Sequence, residues 1–302
     1  MAITAGMVKE LRERTGAGML DCKNILNEVD GDIERAIEVL REKGLAKAAK
    51  KAGRVAAEGL VKEAVSADGK SAAIVEVNSE TDFVAKNDTF ITFVEQVAQI
   101  VLDNKVEDVE ALKALPWVDD KSKTVSDVLT EKIAVIGENL TIRRIANVTT
   151  DGTMAAYTHG GGKIVSLVEV DAQGDKAKEV GKNIAMQIAA ANPEYLSMDQ
   201  VSEESKAKER EILMTQAKNE NPDKPDNIIE KMIIGRLNKQ LKEICLLEQE
   251  YVKDPDLTVA KYVKAELGSD KAIKSFIRFE TGEGIEKKEE NFAEEVAKQL
   301  QG

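Results

Sequence analysis

The sequence predicts an α+β chain. A three-helix module comes first, then a duplicated core of small antiparallel sheets with helices, with a helical-hairpin insertion in the second copy. Three observations carry this. Apolar residues recur at helical spacing, punctuated by glycine and aspartate turns, through the first fifty residues. One strand-rich segment occurs twice, 93 residues apart. The second copy is longer by about 41 residues, which lie in charged, helix-periodic sequence.

The module spans residues 1–54. Thr4 caps a first helix carrying Met7, Val8 and Leu11, and "TGAG" at 15–18 stops it. Leu20, Ile25 and Leu26 mark a second helix, and "DGD" at 30–32 is a turn in which Asp32 caps the next. Ile33, Ala36, Ile37 and Leu40 mark a third helix, predicted to end near Gly44. The stretch "AKAAKKAGR" at 46–54 then gathers Lys47, Lys50, Lys51 and Arg54. A solvated linker helix is the favoured reading. The alternative is an RNA- or ribosome-associated patch, although no aromatic stands beside these charges to stack on a base.

The first core copy is placed at 55–149 and the second at 150–282. "KSAAIVEV" at 70–77 resembles "GKIVSLVEV" at 162–170, with Val75 aligned to Val168. Each follows a turn and an earlier strand-like run, "GLVKEAV" or "TMAAYT". Each leads into a helix, at 89–102 and at 177–191; in the first, Phe90, Phe93, Val94, Val97 and Val101 share one face. The copies close alike: "TVSDVL" at 124–129 resembles "TVAKYV" at 258–263, and "LTIRRIANV" at 140–148 answers to "KSFIRFETG" at 274–282. The repeated unit is strand, strand, helix, helix, strand.

The insertion, about 197–248, reads as two helices around the proline turn "NPDKPD" at 221–226. Ile229, Ile233, Leu237, Leu241 and Ile244 form a stripe that needs a partner, on the neighbouring helix or on another subunit. A C-terminal helical module, 283–302, ends the chain, with Phe292, Val296 and Leu300 on one face.

Composition narrows the function. Of 302 residues, 32% are charged, and the formal net charge is −12, a poor match for non-specific nucleic-acid binding. Two cysteines far apart make neither a disulfide framework nor a zinc spacing and read as buried thiols. A single histidine, His159, removes most catalytic arrangements and any two-histidine metal site. No run is long and apolar enough to span a bilayer, and the start lacks a signal-peptide pattern; a cytoplasmic protein is expected. "HGGGK" at 159–163 has glycines that suit a phosphate cradle but lacks P-loop spacing, and reads as a turn between strands. No carboxylate pair stands in a setting that points to catalysis.

One stretch resists a structural explanation. In "NSETDFVAKND", residues 78–88, Phe83 and Val84 sit among polar residues. The matching stretch of the second copy, "DAQGDKAKEV", has no aromatic and offers at most Ala177. The ring is therefore either a hydrophobic staple onto the following helix or an anchor for another protein, and the residues leave these level.

Three segments, "LRERTGAGMLDCK" at 11–23, "VNSETDFVAKN" at 77–87 and "FIRFETGEGIEK" at 276–287, resemble the signature segments of the bacterial translation elongation factor Ts family. The resemblance runs through nearly the whole chain, and "TDFVAK" after a strand is its most specific part. It implies a guanine nucleotide exchange factor that is not itself an enzyme, needs no cofactor or metal, and binds elongation factor Tu, both GDP-bound and nucleotide-free. It further implies a UBA-like N-terminal module and a coiled-coil arm. The Mg2+-dislocating loop is implied to be Thr81, Asp82, Phe83 and Val84. Partner contacts are implied at Arg14, Met19, Leu20, His159, Phe292 and Val296. Neither direct nucleic-acid nor membrane contact is expected; a homodimer or 2:2 complex through the hairpin stays open. The rival to this reading is a carboxylate- and lysine-based enzyme, which predicts a deep polar pocket with a perturbed carboxylate.

Overall fold

The computed structural model describes residues 3–222 and 224–286. It mixes helices with small antiparallel sheets, in keeping with an α+β class. The described residues fall into two compact units. The first is built from residues up to Ala64, Ala73–Asn147 and the chain from Glu280 on; the second from Val65–Ala72 and Val148–Phe279.

The first unit opens with α1 (Ala5–Thr15), α2 (Met19–Glu28) and α3 (Ile33–Lys51). The Thr4 hydroxyl accepts the Met7 N–H, Gly16 ends α1 in the left-handed region, and Asp32 accepts the Arg35 N–H. Leu11, Cys22, Ile25, Leu26 and Ala36 form the shared core. One expectation fails here: α3 does not end near Gly44 but runs on through the basic stretch to Lys51. Gly44 is buried against α7 (Val125–Ile136), where a Cβ would stand 3.4 Å from that of Ala134. Mid-helix glycine costs about 1 kcal/mol; the packing of α3 on α7 outweighs that cost, so tertiary structure overrides the local stop signal.

The first sheet has the order β1 (Glu58–Val65), β2 (Ser71–Ser79), β3 (Thr141–Thr149). Preceding α7 are α4 (Asp82–Ala85), α5 (Asp88–Asn104) and α6 (Val109–Lys113). Phe90, Phe93, Val94, Val97 and Val101 of α5 are buried, as their helical spacing predicts, and Phe93 stacks on Trp117 with ring centroids 5.5 Å apart. Thr124 and Asp127 form a reciprocal capping box at the start of α7.

In the second unit, β4 (Thr153–His159) pairs antiparallel with β5 (Ile164–Val170), and the sheet order is β4, β5, β8 (Ile273–Glu280). Gly160, Gly161 and Gly162 all take positive φ, so the "HGGGK" stretch is the hairpin turn its glycines suggest. Helix α8 (Asp175–Ala191) covers this sheet, with Gly181 close to Ala155. The insertion is α9 (Glu203–Glu220) and α10 (Asp226–Ile244). Ile229 and Ile233 of the apolar stripe pack with Leu213 and Ala217 of the neighbouring helix. At its base Leu241 joins Val201 and Cys245. A two-stranded ribbon, β6 (Glu250–Tyr251) with β7 (Asp254–Thr258), precedes α11 (Val259–Leu267) and was not foreseen, because two residues are too few to show a period. Both cysteines are free and buried; burial raises the Cys22 thiol pKa and pushes that of Cys245 up to about 11. No helix among the described residues is long and apolar enough to cross a membrane.

The duplication shows in backbone contacts. A Cβ on Gly59 would meet the Val77 carbonyl oxygen at 2.2 Å, and one on Gly152 the Val170 carbonyl oxygen at 2.0 Å. Both pairs obey the 93-residue offset, so each copy needs a glycine where its first strand approaches its second. Gly59→Ala and Gly152→Ala should each destabilise the chain by about 2 kcal/mol or more, read as a lowered urea midpoint. A silent substitution at either position would contradict the close approach.

Inside the first unit, β2 carries a fully buried carboxylate, Glu76. It accepts from Arg143 at 3.1 Å, Arg144 at 2.5 Å, the Gly282 backbone N–H at 2.8 Å and Asn78 at 3.0 Å. Burial by itself pushes its pKa up; the Gly282 N–H, Asn78 and Arg144 outweigh this and hold it below the usual range. A carboxylate depressed on folding stabilises the fold above its unfolded pKa, and that stabilisation is lost as pH falls through the folded value. Glu76→Ala should cost about 3 kcal/mol in urea unfolding, since it strands two arginines. Glu76→Gln should flatten the acid side of the stability-versus-pH curve below pH ~4.

Candidate functional site

Between β2 and α5 the chain makes a brief excursion built from Glu80 to Asn87. The sequence reading treats it as a loop; it contains one helical turn, α4, with Asp82 in its first turn and the Asp82–Lys86 ion pair (2.6 Å) along it. Asn87 caps the next helix by accepting from the Thr89 N–H at 2.9 Å.

The side chains of this turn divide sharply. Val84 and Ala85 are buried in the first unit's core, whereas Phe83 is 80% exposed. The staple reading would have buried the ring; instead Val84 serves as the inward anchor. Burying a phenylalanine side chain is worth about 2 kcal/mol, so an aromatic this exposed on an ordered turn leaves that stabilisation unused in the isolated chain.

The turn is held from outside by Glu138, which follows the helix-ending Gly137 (φ +87°). One Glu138 oxygen accepts the backbone N–H groups of Glu80 (3.1 Å) and Thr81 (3.0 Å), and the other accepts the Thr81 hydroxyl (2.7 Å). In return the Glu80 carboxylate accepts the Asn139 N–H at 2.6 Å and pairs with Arg54 at 3.5 Å. Asn139, buried, donates its side-chain amide to the Arg54 carbonyl at 2.8 Å. Sequence reasoning missed Glu138. Its only local signal is an acidic residue placed directly after a helix-stopping glycine, with its partners almost sixty residues away.

The other expected contact residues are spread over the chain. Met19 and Leu20, 61% and 70% exposed, stand at the start of α2, and Arg14 pairs with Glu34 at 2.8 Å. His159 ends β4 in the second unit, its Nδ1 3.3 Å from the Tyr157 hydroxyl. Phe292 and Val296 lie outside the described residues.

Most of the features that the alternative readings require are engaged elsewhere. Of the basic stretch, Lys47 pairs with Asp21 (3.2 Å), Lys51 donates to the Gly137 carbonyl and Arg54 pairs with Glu80; Lys50 is exposed. A cavity of about 530 Å³ opens among α1–α3 and α7. Its carboxylates are tied up: Asp21 by Lys47, Asp127 by Arg41 and Glu131 by Lys123. Burial tends to raise the Asp127 pKa, but the Thr124 N–H and hydroxyl and Arg41 bring it below the usual range. Burial raises the Glu248 pKa, yet its carboxylate lines no described cavity and accepts a long bond from the Met198 N–H, 3.4 Å.

Comparison with known proteins adds an independent line. A family profile described as Elongation factor TS matches residues 80–283. The chain is 54% identical over 306 residues to Elongation factor Ts of Clostridium kluyveri and 56% over 304 to that of Clostridioides difficile, covering 99% of both chains in each case. Against Elongation factor Ts of Clostridium perfringens it is 55% identical over 302 residues, covering 98% of both.

The inward and outward residues of the turn make opposite predictions for stability. Val84→Ala should lower the unfolding free energy by about 1–2 kcal/mol, and Phe83→Ala should change it by less than ~0.5 kcal/mol. A large loss of stability for Phe83→Ala in urea would place the ring in its own core.

Proposed function

The chain belongs to the elongation factor Ts family, and from that premise we propose that it is a nucleotide exchange factor whose Phe83 turn dislodges GDP from elongation factor Tu. Support comes above all from one observation: an aromatic 80% exposed between a clamped Thr81 and a buried Val84. In this reading the turn enters the GTPase domain of factor Tu, and the ring wedges beside the switch region. The groups around Mg2+ shift, and the nucleotide loosens.

Two physical points make a small wedge sufficient. Mg2+ bridges nucleotide phosphates and protein oxygens and demands near-ideal octahedral geometry, so modest displacement of its surroundings weakens it. With the ion loosened, the phosphates lose their chief counter-charge. Nothing in the scheme needs an acid, base or nucleophile on this chain. Exchange is a coupling between two binding events, so GDP must weaken the complex by the factor with which the complex weakens GDP. The area of Phe83 supplies about 2 kcal/mol when buried; a wider interface must supply the rest, and Arg14, Met19 and Leu20 of the helical module are proposed to belong to it.

Stopped-flow release of a fluorescent GDP from factor Tu tests this. The parent chain should accelerate release to a saturating rate. Phe83→Ala should lower that maximal rate by up to about 30-fold, the factor equivalent to ~2 kcal/mol, with a smaller change in the half-saturating concentration. Absence of acceleration at saturating protein would reject the activity; an undiminished Phe83→Ala would reject the wedge.

A further inference from the structure

We propose that Glu138 is a positioning residue for exchange, whose carboxylate fixes the base of the Phe83 turn and so sets where the ring projects. This rests on the reading of Phe83 as the intruding group. The turn is only four residues long, and its inward hold is Val84 and Ala85. An apolar contact of this kind resists withdrawal but does little to fix direction, being non-directional. Direction comes from the three charge-assisted contacts at Glu138, two N–H bonds of ordinary length and a 2.7 Å bond from the Thr81 hydroxyl. Thr81 stands at the N-cap of α4, yet its hydroxyl makes no cap bond there; it donates to Glu138 instead. The residue that would ordinarily close the helix start thus ties it to the α7–β3 connection.

The duplicated fold provides an internal comparison. In both copies the helix before the last strand ends at a left-handed glycine, Gly137 or Gly268. The next residue is Glu138 in the first copy and Ser269 in the second, and the register of the last strands sets Glu138 against Ala272; neither counterpart is acidic. The second copy also lacks an aromatic in its counterpart of the turn. Both copies fold, so a carboxylate at this position is not a requirement of the repeated unit. Clamp and ring occur together in the first copy and are both missing from the second. That concurrence favours a role for Glu138 in presenting the ring over a role in holding the fold.

The test uses the full chain with factor Tu and fluorescent GDP, alongside amide hydrogen exchange of the free chain. Glu138→Ala should speed exchange of the Glu80 and Thr81 amides. It should also lower the maximal GDP-release rate by roughly tenfold, within the ~30-fold ceiling set by removing the ring itself, with less than ~3-fold change in half-saturation. Glu138→Gln should recover most of the rate, because its amide oxygen can accept both N–H groups while its nitrogen donates to the Thr81 hydroxyl. Thr81→Val, which removes one contact of three, should fall between and guards against a poorly folded alanine variant. In a Phe83→Ala background, Glu138→Ala should add nothing further. Undiminished release by Glu138→Ala despite faster amide exchange overturns this inference alone, as does full multiplication of the two single losses. Undiminished release by Phe83→Ala overturns the functional reading and this inference with it.

Discussion

A negative charge is held in the middle of the most enclosed strand of the first unit. Every residue of β2 after Ser71 is buried, and Glu76 lies among them. A carboxylate there is tolerable only if all its lone pairs are met. Arg143 and Arg144 arrive from the neighbouring β3, Asn78 from two residues along, and the Gly282 N–H from the chain just beyond β8. The two arginines continue to the Glu283 and Glu280 carbonyls. One buried ion therefore joins three stretches distant in sequence and fixes the strand from which the Phe83 turn departs.

Stiffness in that strand would serve the turn in the proposed exchange. An exposed ring on a loose loop would lose its orientation entropy on binding; one on a turn braced from two sides has already lost it. The inner brace is apolar, through Val84 and Ala85, and the outer is electrostatic, through Glu138. In the exchange reaction proposed above, the same preorganisation would let an interaction of a few kcal/mol act on a metal-held nucleotide. The basic stretch at the end of α3 and just beyond it also finds its place in this frame: Lys51 and Arg54 bind elements of their own unit.

Much was legible in residue order. Periodicity located the helices of the first module, the α5 face with Phe90 and Phe93, and both arms of the insertion. The repeat of "VEV" at 75–77 and 168–170 gave the duplicated strand pattern, which the matched close approaches of Gly59 and Gly152 underwrite. Gly44 misled because a glycine is a stop signal only when nothing packs against it. Glu76 and Glu138 passed unnoticed because a carboxylate's meaning lies in its partners, and theirs are 67 and 57 residues away.

Sequence alone determined what depends on neighbours along the chain: the helical and strand periods, the duplication, the inserted hairpin, and an aromatic that the second copy does not share. Only the tertiary structure decided which way that aromatic faces. Phe83 and Val84 are adjacent and both apolar, so composition treats them alike. Their opposite fates follow from the single turn of α4, which points one side chain into the core and the next out of it, and from a carboxylate far along the chain that holds the turn in that setting.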